Sequence, residues 1–228
     1  MYAGFVKKDI GDLIDMSDTI CPLVYNGIAT DPSGGVRPCC VFDQHYNFRG
    51  DVKDYRSSKR WKEIENDFLE GKYHPGCHHC ERQDKAGSSS KRTREIHNYK
   101  EKYKKDSLDL EHLKSIGYDL IDLRLSNKCN LSCISCNPKS SSLIFEETKN
   151  NYDNTAMHYK SIFDFAKRLD LTNPYNEENI EQLASGIQKG SRLYFTGGEP
   201  SIVKGVLNFL QMLIDNKLNE DVHIEFNS

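Results

Sequence analysis

Residues 129–136, "CNLSCISC", place Cys129, Cys133 and Cys136 on one short stretch, with three residues in the first gap and two in the second. Thiolates suit zinc and iron–sulfur clusters alike. Three on one loop can hold three irons of a 4Fe-4S cube and leave the fourth open, the logic by which catalytic zinc keeps a place for substrate. Zinc modules usually pair two Cys or His units, and no His or fourth Cys lies within twenty residues of Cys136. A second group comprises Cys21, Cys39, Cys40, Cys77 and Cys80, the last two in "GCHHC". Four of these could hold either zinc or an iron–sulfur cluster. His74, His78 and His79 flank the pair, as substitute ligands or as exposed loop residues. A third stretch, "FTGGEP", supplies Gly197, Gly198, Glu199 and Pro200.

Elements must hold these residues in place. "YDLIDLRLS" has Ile121, Leu123 and Leu125 at period two, a strand pattern running into the three-cysteine loop. Pro138 then opens a helical stretch through "KSSSLIFEETKN", and a polar insertion follows. Asn176 can cap a helix over "EENIEQLASGIQKG", with Gly190 as its stop. The strand "RLYFT" leads into the Gly-Gly turn. A helix with Val203, Val206, Leu207, Leu210, Leu213 and Ile214 comes next, and then a third strand, "VHIEFNS", with Val222, Ile224 and Phe226 on one face. Strands alternating with helices predict a parallel sheet, whose chemistry collects at the carboxyl ends of its strands. Upstream, "CPLVYNGIATDPSGGVRPCC" has strand-like residues on either side of "DPSGG" and predicts a β-hairpin. A helix over "SKRWKEIENDFLEGKYHPG" follows it. Residues 81–105 carry nine Lys or Arg against four Asp or Glu. They begin a charged segment read as one or two surface helices, and a domain boundary is placed near residue 110.

Composition narrows the class. The 228 residues are 37% hydrophobic and 29% charged, with 10 Phe and 12 Tyr, so the chain is polar but too aromatic to be disordered. A net charge of −3 gives no electrostatic case for nucleic acid or membrane. No apolar run reaches the roughly 18 residues needed to span a bilayer. The start, "MYAGFVKKDIGDLIDM", has acids where a signal peptide needs an apolar core. A cytoplasmic location is expected, with cysteines kept reduced for metal or redox chemistry.

The three cysteines at the end of one strand, followed by "FTGGEP" at the end of the next, resemble the radical S-adenosylmethionine (radical SAM) enzymes. The resemblance implies a 4Fe-4S cluster on Cys129, Cys133 and Cys136, with S-adenosylmethionine chelating the open iron. It also implies reductive cleavage to a 5′-deoxyadenosyl radical that abstracts hydrogen from a substrate, and an electron donor such as flavodoxin or ferredoxin. Gly197, Gly198, Glu199 and Pro200 would lie at the cofactor, the first three near its methionine amino group. Ser135 stands where relatives often carry a bulkier residue near the adenine. The amino-terminal cysteines resemble a twitch or SPASM-type auxiliary domain, which implies a second iron–sulfur cluster on Cys21, Cys39, Cys77 and Cys80. That module usually follows the radical core, and here it precedes it.

The fold class so implied is α/β. It comprises an incomplete (β/α) partial barrel of about three units over 111–228, preceded over 1–110 by a small cysteine-rich hairpin-plus-helix domain. A radical SAM core usually has about six units. The chain is therefore a fragment, or half of a barrel completed by another polypeptide, or no longer catalytic. A protein in which zinc or iron–sulfur centres only hold the fold is the alternative. Cys39 is taken as the auxiliary ligand over Cys40, because Gly34-x4-Cys39 matches the auxiliary pattern and strand neighbours face opposite ways. Cys40 is then a small buried hydrophobe beside Val41 and Phe42.

Overall fold

The computed structural model describes residues 19–171 and 174–228. The opening segment "MYAGFVKKDIGDLIDM" lies outside them. Within them a six-stranded mixed sheet runs in the order β3-β2-β1-β4-β5-β6. Its strands are β1 (Gly27–Thr30), β2 (Gly35–Arg37), β3 (Phe48–Arg49), β4 (Tyr118–Leu123), β5 (Ile187–Phe195) and β6 (His223–Phe226). β1, β4, β5 and β6 are mutually parallel, while β2 pairs antiparallel with both β1 and β3. The sheet is open and does not close into a barrel.

The expected hairpin is present as β1 and β2, closed by a turn in which Gly34 takes a left-handed φ of 79°. Neither strand contains a cysteine. Cys21 precedes the short helix α1 (Leu23–Asn26), and Cys39 and Cys40 follow β2. The hairpin also does not stand apart, because Gly27 to Ala29 of β1 lie beside Leu120 to Asp122 of β4. One sheet therefore draws strands from both sides of residue 110.

Pairing register sorts the two faces. Ile28, Ile121, Leu193 and Ile224 form one row across four strands, and side chains of paired residues project the same way. This apolar face packs on α8 (Glu177–Ser185) and α9 (Lys204–Asp215) through Leu183, Val206, Phe209 and Leu213. Leu120 projects to the opposite face, into a second core with Ile20, Leu23, Ile64, Phe68, Tyr99 and Leu113. These come from the segment before α1 and from α1, α2 (Lys59–Leu69), α4 (Lys91–Tyr103) and α5 (Leu110–Ser115). The charged segment after Cys80 is thus not only a solvated face. Glu95 of α4 is buried and pairs with Lys91 and with Arg192 of β5.

Several boundaries differ from expectation. The helix after Pro138 starts only at Ser142, because Asn137 Oδ1 accepts from the amides of Lys139 and Ser140 and holds a local turn; α6 is Ser142–Asn150. The polar insertion contains a further helix, α7 (Met157–Ala166). Asn176 caps α8 as expected, but the helix ends at Ser185, since β4 recruits Ile187 into β5 and Tyr118 N donates to Gly186 O. Gly190 falls inside the strand, where a register shift accommodates it. On α9, Leu207 and Ile214 face outward, and Phe209 takes a core place.

Phe209 is fully buried edge-on against Phe195. Phe209→Ala should lower stability by about 3–5 kcal/mol through the cavity it leaves, measured by urea unfolding. Leu207→Ala, on the exposed side of α9, should stay within about 0.5 kcal/mol of the parent.

Candidate metal centres

Cys129, Cys133 and Cys136 lie on the loop leaving the carboxyl end of β4. Cys133 is exposed and its two neighbours are half-buried. The loop is held by main-chain and hydroxyl contacts. Cys129 N donates to Ser142 Oγ at 3.0 Å, and Ser142 Oγ donates back to Cys129 O at 3.1 Å. From α7, Tyr159 donates to Cys136 O at 2.9 Å. Burial raises the Cys136 thiol pKa, a hydrogen bond to Asn137 O opposes this, and Cys129 and Cys133 raise it further.

The Gly-Gly turn leaves the carboxyl end of β5 and docks on that loop. Glu199 N donates to Lys128 O at 2.8 Å, and Gly198 N to Ser140 O at 2.9 Å. Gly197 and Gly198 both have left-handed φ angles, 78° and 63°. A Cβ on Gly198 would stand 2.4 Å from Lys128 O. Only glycine tolerates both the dihedral and the approach. The Glu199 carboxylate accepts from Ser201 N and Oγ through Oε1 and from Ser228 Oγ through Oε2. The hydrogen bonds to Ser201 and Ser228 hold its pKa below the ordinary value. A carboxylate has about four acceptor positions, so these three bonds leave room on Oε2. Pro200 is buried in the turn after it.

Cys21, Cys39, Cys77 and Cys80 line one small cavity with Leu23, Phe42, Phe68, Lys91 and Arg92. Burial, and then the neighbouring cysteines, raise the pKa values of Cys21 and Cys77, and burial pushes that of Cys39 to about 12. Buried thiols raised in this way, Cys21, Cys39 and Cys77, stay protonated unless a cation compensates them. All eight cysteines are free. Among the described residues no group of three or more His, Cys, Asp or Glu side chains is gathered so as to hold a metal ion.

Cys40 goes elsewhere. The chain turns after β2, so Cys39 and Cys40 are not strand neighbours. Cys40 is half-exposed on a separate open cleft, where burial and Asp122 of β4 raise its pKa. It is therefore not the buried hydrophobe expected. His74 is not an exposed loop residue either. It is buried, stacks on Phe42, and accepts from Gly76 N at 2.9 Å, while burial lowers its pKa. His78 borders the cleft with Cys40, and His79 is exposed.

Residues that the sequence did not single out gather beside these centres. A cleft next to the three-cysteine loop is lined by Asp31, Arg37, Arg49, Arg124, Lys139 and Ser140. Burial pushes the Asp31 carboxyl up, but Lys139 and Ser33 outweigh this and hold it below the usual range. Among the described residues no helix is long and apolar enough to cross a membrane. No protein-family model, curated protein or solved structure matches the chain.

Two outcomes test these placements. Cys39→Ser should lose metal from the amino-terminal cavity on anaerobic reconstitution, whereas Cys40→Ser should retain it; the reverse pattern would exchange their roles. Gly198→Ala should displace the turn from the cysteine loop and reduce the metal recovered there, read by iron and zinc analysis. Full recovery would show that this close approach does not shape the loop.

Proposed function

We propose that the chain is a radical SAM-type iron–sulfur protein, with a partial (β/α) barrel formed around β4, β5 and β6 and an auxiliary cluster in the amino-terminal cavity. The observation that carries this reading is the docking of the Gly198–Glu199 main chain on the loop of Cys129, Cys133 and Cys136. Two motifs separated by some sixty residues of sequence meet at adjacent carboxyl ends of parallel strands, where such sheets do their chemistry.

Thiolate donors suit the groups these residues would hold. Cys129, Cys133 and Cys136 would ligate three irons of a 4Fe-4S cluster, leaving one for S-adenosylmethionine. When bound, that pair supplies a reductively generated radical able to abstract hydrogen from a substrate. The protein binds, orients and excludes water. The glycine pair allows close approach of the backbone, and the remaining capacity of Glu199 Oε2 suits an ammonium donor. Cys21, Cys39, Cys77 and Cys80 would hold the second cluster, with Lys91 and Arg92 at the same cavity offsetting its negative charge. On this reading the protein works in the reducing cytoplasm with a flavodoxin- or ferredoxin-like donor, and a further polypeptide segment pairs with β6.

Anaerobic reconstitution followed by iron analysis and visible absorption tests the proposal. Each of Cys129→Ala, Cys133→Ala and Cys136→Ala should remove about four irons, one cube's worth, and leave the auxiliary cluster. Glu199→Ala should retain both clusters and weaken S-adenosylmethionine binding. A colourless protein containing zinc alone would sink the proposal and favour metal sites that only hold the fold.

A further inference from the structure

The sheet's second face changes character along its strands. Register places Arg37, Ala29, Asp122, Tyr194 and Glu225 in one row across five strands, and Arg49 lies beside Gly35 on the same face. Parallel sheets usually bury apolar side chains on both faces. Here the end near Leu120 is covered by the amino-terminal core, and beyond it the face is charged.

The charges on this face do not cancel. Lys139 Nζ pairs with Asp31 Oδ2 at 3.0 Å, and Arg124 Nε with Asp122 Oδ1 at 3.3 Å. That leaves Arg37 and Arg49, neither with a carboxylate in ion-pair range among the described residues. Arg49 donates only to Ser33, at its carbonyl and hydroxyl oxygens. Arg37 is 7% exposed, its Nη1 donates to Phe42 O at 3.2 Å, and its Nε has no partner. An uncompensated guanidinium at such depth is costly unless an anion joins it. Burial lowers the Lys139 pKa and Asp31 opposes it, while Arg37 and Arg49 lower it further, so the cations act on one small volume.

The position of the cleft is informative too. Ser140, in its wall, accepts from Gly198 N, and the side chain of Arg124 abuts Gly197. At the opposite end, Arg37 is two residues from Cys39 in the amino-terminal cavity. The cleft therefore lies between the two cysteine sites.

We infer that this cleft binds an oxyanion, a carboxylate or phosphate of the molecule the protein acts on, with Arg37 as its buried anchor and Arg49 beside it. The planar fork of Arg matches the paired oxygens of either group. Assigning the anion to a substrate rests on the radical SAM reading; binding of the anion does not.

Calorimetric titration with inorganic phosphate, pyrophosphate and succinate at fixed ionic strength tests the inference. Saturable binding of at least one probe is expected, and the preferred probe separates phosphate from carboxylate. Arg37→Lys, which keeps the charge and loses the fork, and Arg49→Gln should each weaken binding by about tenfold or more, as expected for a lost charge-assisted bond. Arg37 also borders the neighbouring cleft that Arg94 lines, so Arg94→Gln decides on which side the anion sits, and it should bind like the parent. Thermal melts confirm that each variant is folded. Absence of saturable binding by any probe, or unchanged binding in both folded variants, overturns the inference. Iron is measured on the same preparations. Oxyanion binding without iron supports the anion site and removes its assignment to a radical substrate. Iron without oxyanion binding removes the cleft alone.

Discussion

Leu120 to Leu123 of β4 run parallel beside Arg192 to Phe195 of β5, and much of the remaining arrangement depends on this ladder. Parallel strands end on the same side of the sheet, so their following loops are neighbours. The cysteine loop and the Gly-Gly turn then meet without either being long. The turn adds its own main-chain bonds, from Glu199 N to Lys128 O and from Gly198 N to Ser140 O. These fix the cysteine loop from one side while Ser142 and Tyr159 fix it from the other.

The sheet divides labour between its faces. The row Ile28, Ile121, Leu193, Ile224 supplies cohesion against α8 and α9. The row containing Arg37, Asp122 and Tyr194 contributes little apolar burial and carries charge instead. Placing charge there requires support from elsewhere, and Asp31 provides part of it. It joins the β1–β2 turn to Asn47 and to Lys139 beyond the cysteine loop.

Much of this was legible in the sequence. The strands after residue 110 were visible from period-two alternation, and Asn176 from its capping chemistry. The β1–β2 hairpin was visible from its turn residues. The end of α8 was not, because nothing local distinguishes Ile187 as a strand residue until β4 pairs with it. The same holds for Leu207 and Phe209, since helical spacing shows which residues could be buried and only the neighbouring sheet decides which are. Cysteine spacing pointed to two groups, and the fold puts Cys21, Cys39, Cys77 and Cys80 on one cavity. The placement of Cys40 beside Asp122 depends on β1 lying against β4, a pairing with no signature in either segment. The cationic cleft was hidden for the same reason, as its members come from segments far apart in the chain.

The pairing of β1 with β4 also sets an order of assembly. Asn26 Nδ2 reaches Asp119 Oδ2 at 2.8 Å across 93 positions of chain, and contacts so distant form late because a large loop must close first. During synthesis the four amino-terminal cysteines are complete once Cys80 has emerged, well before β4 exists. The hairpin therefore waits with one edge of β1 unpaired while its own cysteine cavity can already gather. A nascent chain held at that stage is a strand edge in search of a partner, and α2, α4 and α5, made between the hairpin and β4, are segments that can shield it.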